Sequence, residues 1–162
     1  MTTKLGVLRI RERDFAKLAA HLNLNREVET AAMGFHLMSE SRDRVTFLVQ
    51  EILLPEKDDY HHRSIGGVSL KPALAERCHQ KCEQNNWHLL DIHTHPWADH
   101  KVAFSGIDDD QAMNTKIPYL KRYVPGTRIA FLVFGKNPGI VRGRYWDGVN
   151  NCLSPIHRIV VL

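Results

Sequence analysis

The sequence predicts an α+β fold, a mixed β-sheet flanked by about three helices. Two patterns carry that expectation. Short runs rich in β-branched and aromatic residues recur along the chain, and in three places apolar residues or a proline-led start mark a helix between them. The chain also holds no internal repeat, low-complexity tract or long Pro/Gly/Ser linker, so residues 1–162 are expected to form a single domain.

In chain order, Leu5 to Ile10 forms a short strand. Phe15, Leu18, Ala19 and Leu22 then recur at helical spacing until Asn23 and Asn25 interrupt. Glu29 to Met38 and Val45 to Leu54 are apolar segments on either side of the polar turn Ser39 to Arg44, which predicts an antiparallel hairpin. Glu56 to Arg63 is polar and reads as a loop, and Gly67 to Leu70 follows as a second short strand. Pro72 suits the first turn of a helix that runs to about Asn86. Trp87 to Thr94 is a buried strand that Pro96 ends by removing a ladder donor. A third helix starts near Ser105. Ile129 to Phe134 and Ile140 to Trp146 form a strand pair around the turn Gly135 to Gly139, and Ile156 to Leu162 is a β-rich tail.

Composition narrows the function classes. At 162 residues the chain is long enough for one substantial apolar core, and 43% apolar with 25% charged residues is ordinary for a folded soluble domain. The net charge is only +4 and its cations are scattered, so a nucleic-acid partner is not demanded. Three cysteines and no secretory segment argue against a disulfide framework and for a reducing, cytoplasmic setting. No apolar run approaches the roughly 18 to 20 residues of a membrane-spanning helix, so no membrane partner is expected.

Chemistry concentrates in Asp91 to Asp110, which reads DIHTHPWADHKVAFSGIDDD. Residues two apart on a strand share a face, about 6 to 7 Å apart, so His93 and His95 can converge on one ion while Thr94 points away. A zinc site built on two imidazoles needs a third ligand and keeps a fourth position open for water if it is catalytic. Asp108 is the best candidate, because a helix starting at Ser105-Gly106-Ile107-Asp108 aims a first-turn carboxylate back at the strand end. Asp109 and Asp110 are the alternatives. Taken alone, Ser-x-x-Asp is equally a helix cap and His-x-His equally a pair of strand residues.

Taken together, His93-x-His95-Pro96 followed after residues 97–104 by Ser105-x-x-Asp108 resembles the signature of the JAMM/MPN metalloproteases, also called the Jab/Mov34 family. The resemblance implies the MPN fold over nearly the whole chain, with His93, His95 and Asp108 holding zinc. It also asks for an upstream glutamate, which Val28-Glu29-Thr30-Ala31-Ala32 supplies, so Glu29 is implied as the general base. Glu27, Glu40 and Glu51 are the other acids considered. Ser105 is implied to stabilise the developing oxyanion. One departure is the loop Trp97 to Phe104, longer than the family's usual connection. Asp91, on the same strand face as His93, is a candidate to orient a histidine.

The activity so implied is a zinc-dependent isopeptidase or peptidase, compact and prokaryotic in type, acting after the C-terminal tail of a ubiquitin-like protein. Its implied partners are that protein or its conjugates, with activating-enzyme-like and conjugating-enzyme-like proteins. Alternatives within the resemblance are a sulfur-carrier-processing peptidase, a noncatalytic MPN scaffold serving as an interaction module, and a nucleic-acid-associated MPN relative. Outside the motif, Cys78 and Cys82 share a helix face near His79 and His88 and read as helix-face residues or a structural metal site. His61, His62 and His100 read as solvated, and Trp97 as core or a substrate contact.

Overall fold

The computed structural model describes residues 3–162. The chain forms ten strands: β1 (Leu5–Ile10), β2 (Ala31–Glu40), β3 (Arg44–Leu53), β4 (Tyr60–Ser64), β5 (Gly67–Leu70), β6 (His88–Thr94), β7 (Ile129–Phe134), β8 (Val141–Asp147), β9 (Cys152–Ile156) and β10 (Arg158–Val161). Its helices are α1 (Glu12–Leu22), α2 (Pro72–Asn85), α3 (Gly106–Gln111) and α4 (Ile117–Tyr123). A π-helical stretch, Ala112–Lys116, joins α3 to α4 without a break. Pro118, with no N–H to give, follows this π-helical stretch with only Ile117 between them, and a local change in winding is one way a continuous helix accommodates a proline.

Eight strands make one sheet in the order β10-β1-β3-β2-β6-β7-β8-β9, and β4 with β5 forms a separate hairpin. The sheet curls until its ends almost meet. Phe47 on β3 and Tyr145 on β8 stand four strand steps apart, which on a flat sheet would separate them by roughly 19 Å. Their ring centroids are 5.0 Å apart. One apolar cluster accordingly gathers Leu8, Phe47, Ala32, Leu90, Leu132 and Ile156 from six different strands, with Leu18 and Leu22 of α1 packed into it.

Closure depends on the C-terminal tail. β9 lies at one edge of the sheet and β10 at the other, with only His157 between them. His157 N–H donates to the Gly6 carbonyl at 2.8 Å, and Gly6 N–H donates to His157 Nδ1 at 3.0 Å. Glycine is needed at this point because a Cβ on residue 6 would stand 2.7 Å from the Pro155 carbonyl oxygen.

This architecture corrects the expected α+β fold of MPN type. Strands hold 40% of the chain, and the nearly closed, barrel-like sheet dominates, so the likeness to an MPN α+β arrangement is weak. The physical reason lies in the tail read as one β-rich segment, Ile156 to Leu162. It divides at His157 into strands on opposite edges and turns an open layer into a closing one. Tyr60–Ser64, read as part of a polar loop, is also a strand, its exposed His61 and His62 hiding the pattern.

The opposite face of β2, β6, β7 and β8 carries a second cluster. Met33, Leu89, Phe131 and Trp146 pack there against Leu74, Cys78 and Cys82 of α2 and Leu120 of α4. Both faces of β6 are therefore covered, and this is why Leu89 on one face and Leu90 and Ile92 on the other are all buried. Leu90, Ile92 and Thr94 face inward, and Leu89, Asp91 and His93 face the helices. No helix is long and apolar enough to cross a membrane among the described residues.

Candidate metal centre

β6 ends in the sheet's middle, between β2 and β7, and delivers His93 and His95 to one spot. His93 pairs with Ala31 of β2 and Val133 of β7, which fixes its height. His95 lies one residue beyond the strand, where its N–H donates to the Phe134 carbonyl at 2.7 Å. Both rings are buried, at 9% and 5% exposure. Polar ring nitrogens so far from water require a partner.

Asp108 is that partner. Ser105 caps α3 by accepting from the Asp108 N–H at 3.1 Å, and Ser105 N–H donates to Asp108 Oδ2 at 2.6 Å. This reciprocal capping box holds the carboxylate over the strand end. Its Oδ1 is 3.1 Å from His93 Nε2, its Oδ2 is 3.3 Å from His95 Nε2, and the two Nε2 atoms are 3.2 Å apart. Burial alone would raise the Asp108 pKa, but the two imidazoles, His93 first, and the Ser105 N–H hold it well below the usual carboxylate range.

Three donor atoms facing one another at this spacing can hold a metal ion. Ligands 2.0 to 2.1 Å from a tetrahedral centre stand roughly 3.3 Å from each other; the two Nε2 atoms have that spacing, and each lies near it from a different oxygen of Asp108. Two Nε2 atoms 3.2 Å apart can make one N–H···N hydrogen bond when one neutral imidazole carries its proton on Nε2 and the other on Nδ1. A shared cation satisfies both lone pairs at once.

Glu29 borders the triad, with Oε1 3.6 Å from His95 Nε2, and is 4% exposed. The sequence reading put it on a strand edge, whereas it lies two residues before β2 in a tightly held segment. Its N–H donates to the Ser64 carbonyl at 2.9 Å, and Arg63 Nε donates to its carbonyl oxygen at 2.8 Å. The next residue, Thr30, donates its N–H to Thr94 Oγ1 at 2.8 Å. The unforeseen strand β4 thus clamps Glu29 from one side and β6 from the other. Burial pushes the Glu29 carboxyl above its ordinary pKa, the nearby imidazoles oppose that, and Asp108 adds to it.

The structure separates the other candidates. Asp109 pairs with Arg144, and Asp110 accepts from Asn114 Nδ2 at 2.7 Å, so neither turns to the histidines. Asp91 pairs with Lys116 Nζ at 2.6 Å rather than with an imidazole. Glu40 pairs with Lys4 and Glu51 with Lys81. Cys78 and Cys82 pack on the helix face in the second apolar cluster, where burial raises their thiols to about 11 and about 12. His61, His62 and His100 are exposed. His93, His95 and Asp108 are the only metal-competent group among the described residues.

Sequence reasoning missed what surrounds the triad. Trp97, 49% exposed, stacks on the His95 ring with centroids 4.7 Å apart. Phe104 packs toward His93 at 6.3 Å. Both belong to the long loop; Trp97 was read as core or a substrate contact, and Phe104 carried no signal beyond the loop's length. A cavity of about 550 Å³ opens beside Glu29, His93 and Asp108 and runs between β5, α2 and the α3–α4 rod, with mostly apolar walls. No family model matches the chain, and no curated protein matches it either.

Proposed function

We propose that this chain is a zinc-dependent isopeptidase or peptidase of the JAMM type, acting after the C-terminal tail of a ubiquitin-like protein. The observation that carries the proposal is a buried carboxylate, Glu29, beside a buried His-His-Asp set at the mouth of a cavity. Two imidazole nitrogens and one carboxylate oxygen gathered within 4.8 Å suit zinc better than a hard cation such as magnesium or calcium, which prefers oxygen ligands. Bound there, zinc would supply a water acidic enough to ionise near neutral pH.

The chain's own groups complete the reaction. Glu29, with a raised pKa, accepts a proton from the attacking water and passes it to the departing amine. Ser105 accepts a hydrogen bond from Asp108 N–H, which leaves its own O–H free to donate to the amide oxygen as negative charge develops there. An extended tail has a place to lie, because Gly67–Leu70 of β5 lines the cavity and pairs only with β4 among the described residues. Partners that follow are the ubiquitin-like protein or its conjugates and the activating-enzyme-like and conjugating-enzyme-like proteins that would make them.

The test is cleavage of ubiquitin-like fusions, both linear and lysine-linked, by the zinc-loaded protein. Glu29→Gln is expected to stay folded and keep zinc while the rate falls by roughly 10² to 10⁴. Equal rates for Glu29→Gln and wild type would remove Glu29 from the chemistry, and zinc-loaded wild type inert on every fusion would remove the peptidase reading.

A further inference from the structure

Arg144 lies on β8, on the sheet face that carries His93, and it lines the cavity that holds Glu29, His93 and Asp108. Across the sheet it pairs with Phe131, which pairs in turn with Asp91. His93 is therefore two strands away and two residues further along, a Cα separation of roughly 12 Å. An arginine side chain spans more than half of that distance.

The guanidinium is only partly used. Nη1 pairs with Asp109, the residue after the Asp108 ligand, and the Phe104 ring lies 3.8 Å from Cζ. Nε and Nη2 are buried and have no hydrogen-bond partner among the described residues. Leaving one buried donor unmade costs about 1 to 3 kcal/mol, and more for a charged group, so two on one guanidinium mark a place built for something else. Nε and Nη2 form one edge of the planar group, the side whose parallel N–H bonds match the two oxygens of a carboxylate. Asp109 and Phe104 fix the plane, and because Nε and Nη2 are closed to solvent, a ligand reaches that forked edge by displacing the side chains that cover it. Phe104 sits on the loop from His95 to Ser105 and also packs toward His93, so a ligand reaching the fork meets the loop that borders the triad.

We propose that Arg144 is a substrate-binding residue that takes a carboxylate of the substrate in a bidentate pair. That carboxylate would be an acidic side chain or a chain-terminal carboxylate. At about 3.3 Å per extended residue, it would lie within two to four residues of the bond held over the triad. This rests on the triad being the reacting centre, but the carboxylate fork itself can be tested without metal.

The experiment uses the full chain, stripped of metal by chelator, with three probes: acetyl-Ala-Ala-Glu-Ala-amide, acetyl-tetra-alanine with a free C-terminal carboxylate, and acetyl-tetra-alanine amide. Binding is followed by calorimetry and by the Nε–Hε resonance of Arg144 in ¹⁵N-labelled protein. One or both carboxylate peptides are expected to bind, shift that resonance and outbind the neutral amide, and the tighter of the two identifies the source. Arg144→Lys, which keeps a charge for Asp109 but loses the fork, is expected to weaken that binding roughly 10- to 100-fold. An unmoved Nε–Hε resonance, equal binding of the neutral peptide, or unchanged affinity in Arg144→Lys would overturn the proposal. If the lysine variant fails to fold, the wild-type resonance decides alone. A positive result with chelated protein stands even if the zinc reading fails.

Discussion

His36 lies in the barrel interior with no exposure, its ring edge-on to Phe47 at 5.3 Å and its Nε2 3.2 Å from the Leu89 carbonyl. Burial, helped by charge on His88, depresses its pKa from 6.5 to about 4 in the folded chain. In the unfolded chain the ring takes a proton as pH falls below 6.5, while the folded chain resists until about 4. The unfolded state thus binds more protons across that window, and stability falls with pH through it. It is fully present above 6.5 and levels off below about 4. The lowering between those two values, at 1.36 kcal/mol per unit, comes to about 3 kcal/mol. Urea unfolding of wild type and His36→Leu, both chelated, would be measured from pH 7 down to pH 4. With slopes of 1 to 3 kcal/mol per molar urea, wild type is expected to lose roughly 1 to 3 M more in midpoint than the variant. Titrating groups other than the neighbouring His88 are common to both proteins and cancel in the comparison. Parallel pH profiles, or an NMR titration placing His36 near 6.5 in the folded protein, would refute the reasoning.

Ser105→Ala removes the cap that starts α3 and is expected to cost about 1 kcal/mol of stability and to weaken metal binding by loosening Asp108. Denaturant unfolding and competitive zinc titration check both, and unchanged zinc affinity would mean that Asp108 does not depend on the cap. Gly6→Ala drives a Cβ to 2.7 Å from the Pro155 oxygen where the two sheet edges meet, with an expected loss of about 1 to 3 kcal/mol in urea unfolding. A neutral result would mean that closure at β9 and β10 is slack. Iodoacetamide at pH 8 is expected to label exposed Cys152 and to spare buried Cys78 and Cys82 until denaturant is added. Mass spectrometry of the folded protein showing a modified Cys78 or Cys82 would contradict their burial.

What could be read from the sequence was local. Trp87 to Thr94 read as a buried strand because Leu89, Leu90 and Ile92 put apolar residues on both of its faces, and the strand pair around Gly135 to Gly139 announced itself by its turn. His93, His95 and Asp108 were legible because a strand period and a helix cap are short-range rules. Barrel closure was not, since it depends on β9 and β10 diverging over the single residue His157, and no local pattern records which edge a strand joins. Glu29 was assigned to a strand because apolar residues follow it, whereas its burial comes from β4, a strand concealed by polar residues that face water on one side. Arg144 gave no signal at all. Its meaning comes from Asp109 and Phe104, neighbours far away in the chain, and from a cavity that exists only after α2 and the α3–α4 rod cover the sheet.

Metal content of the protein purified without chelator tests the central claim most directly. Elemental analysis is expected to find about one zinc per chain in wild type, and none in His93→Ala or Asp108→Ala proteins that still show the wild-type circular dichroism spectrum. A folded wild type that holds no zinc, and takes up none when zinc is supplied, would contradict the account.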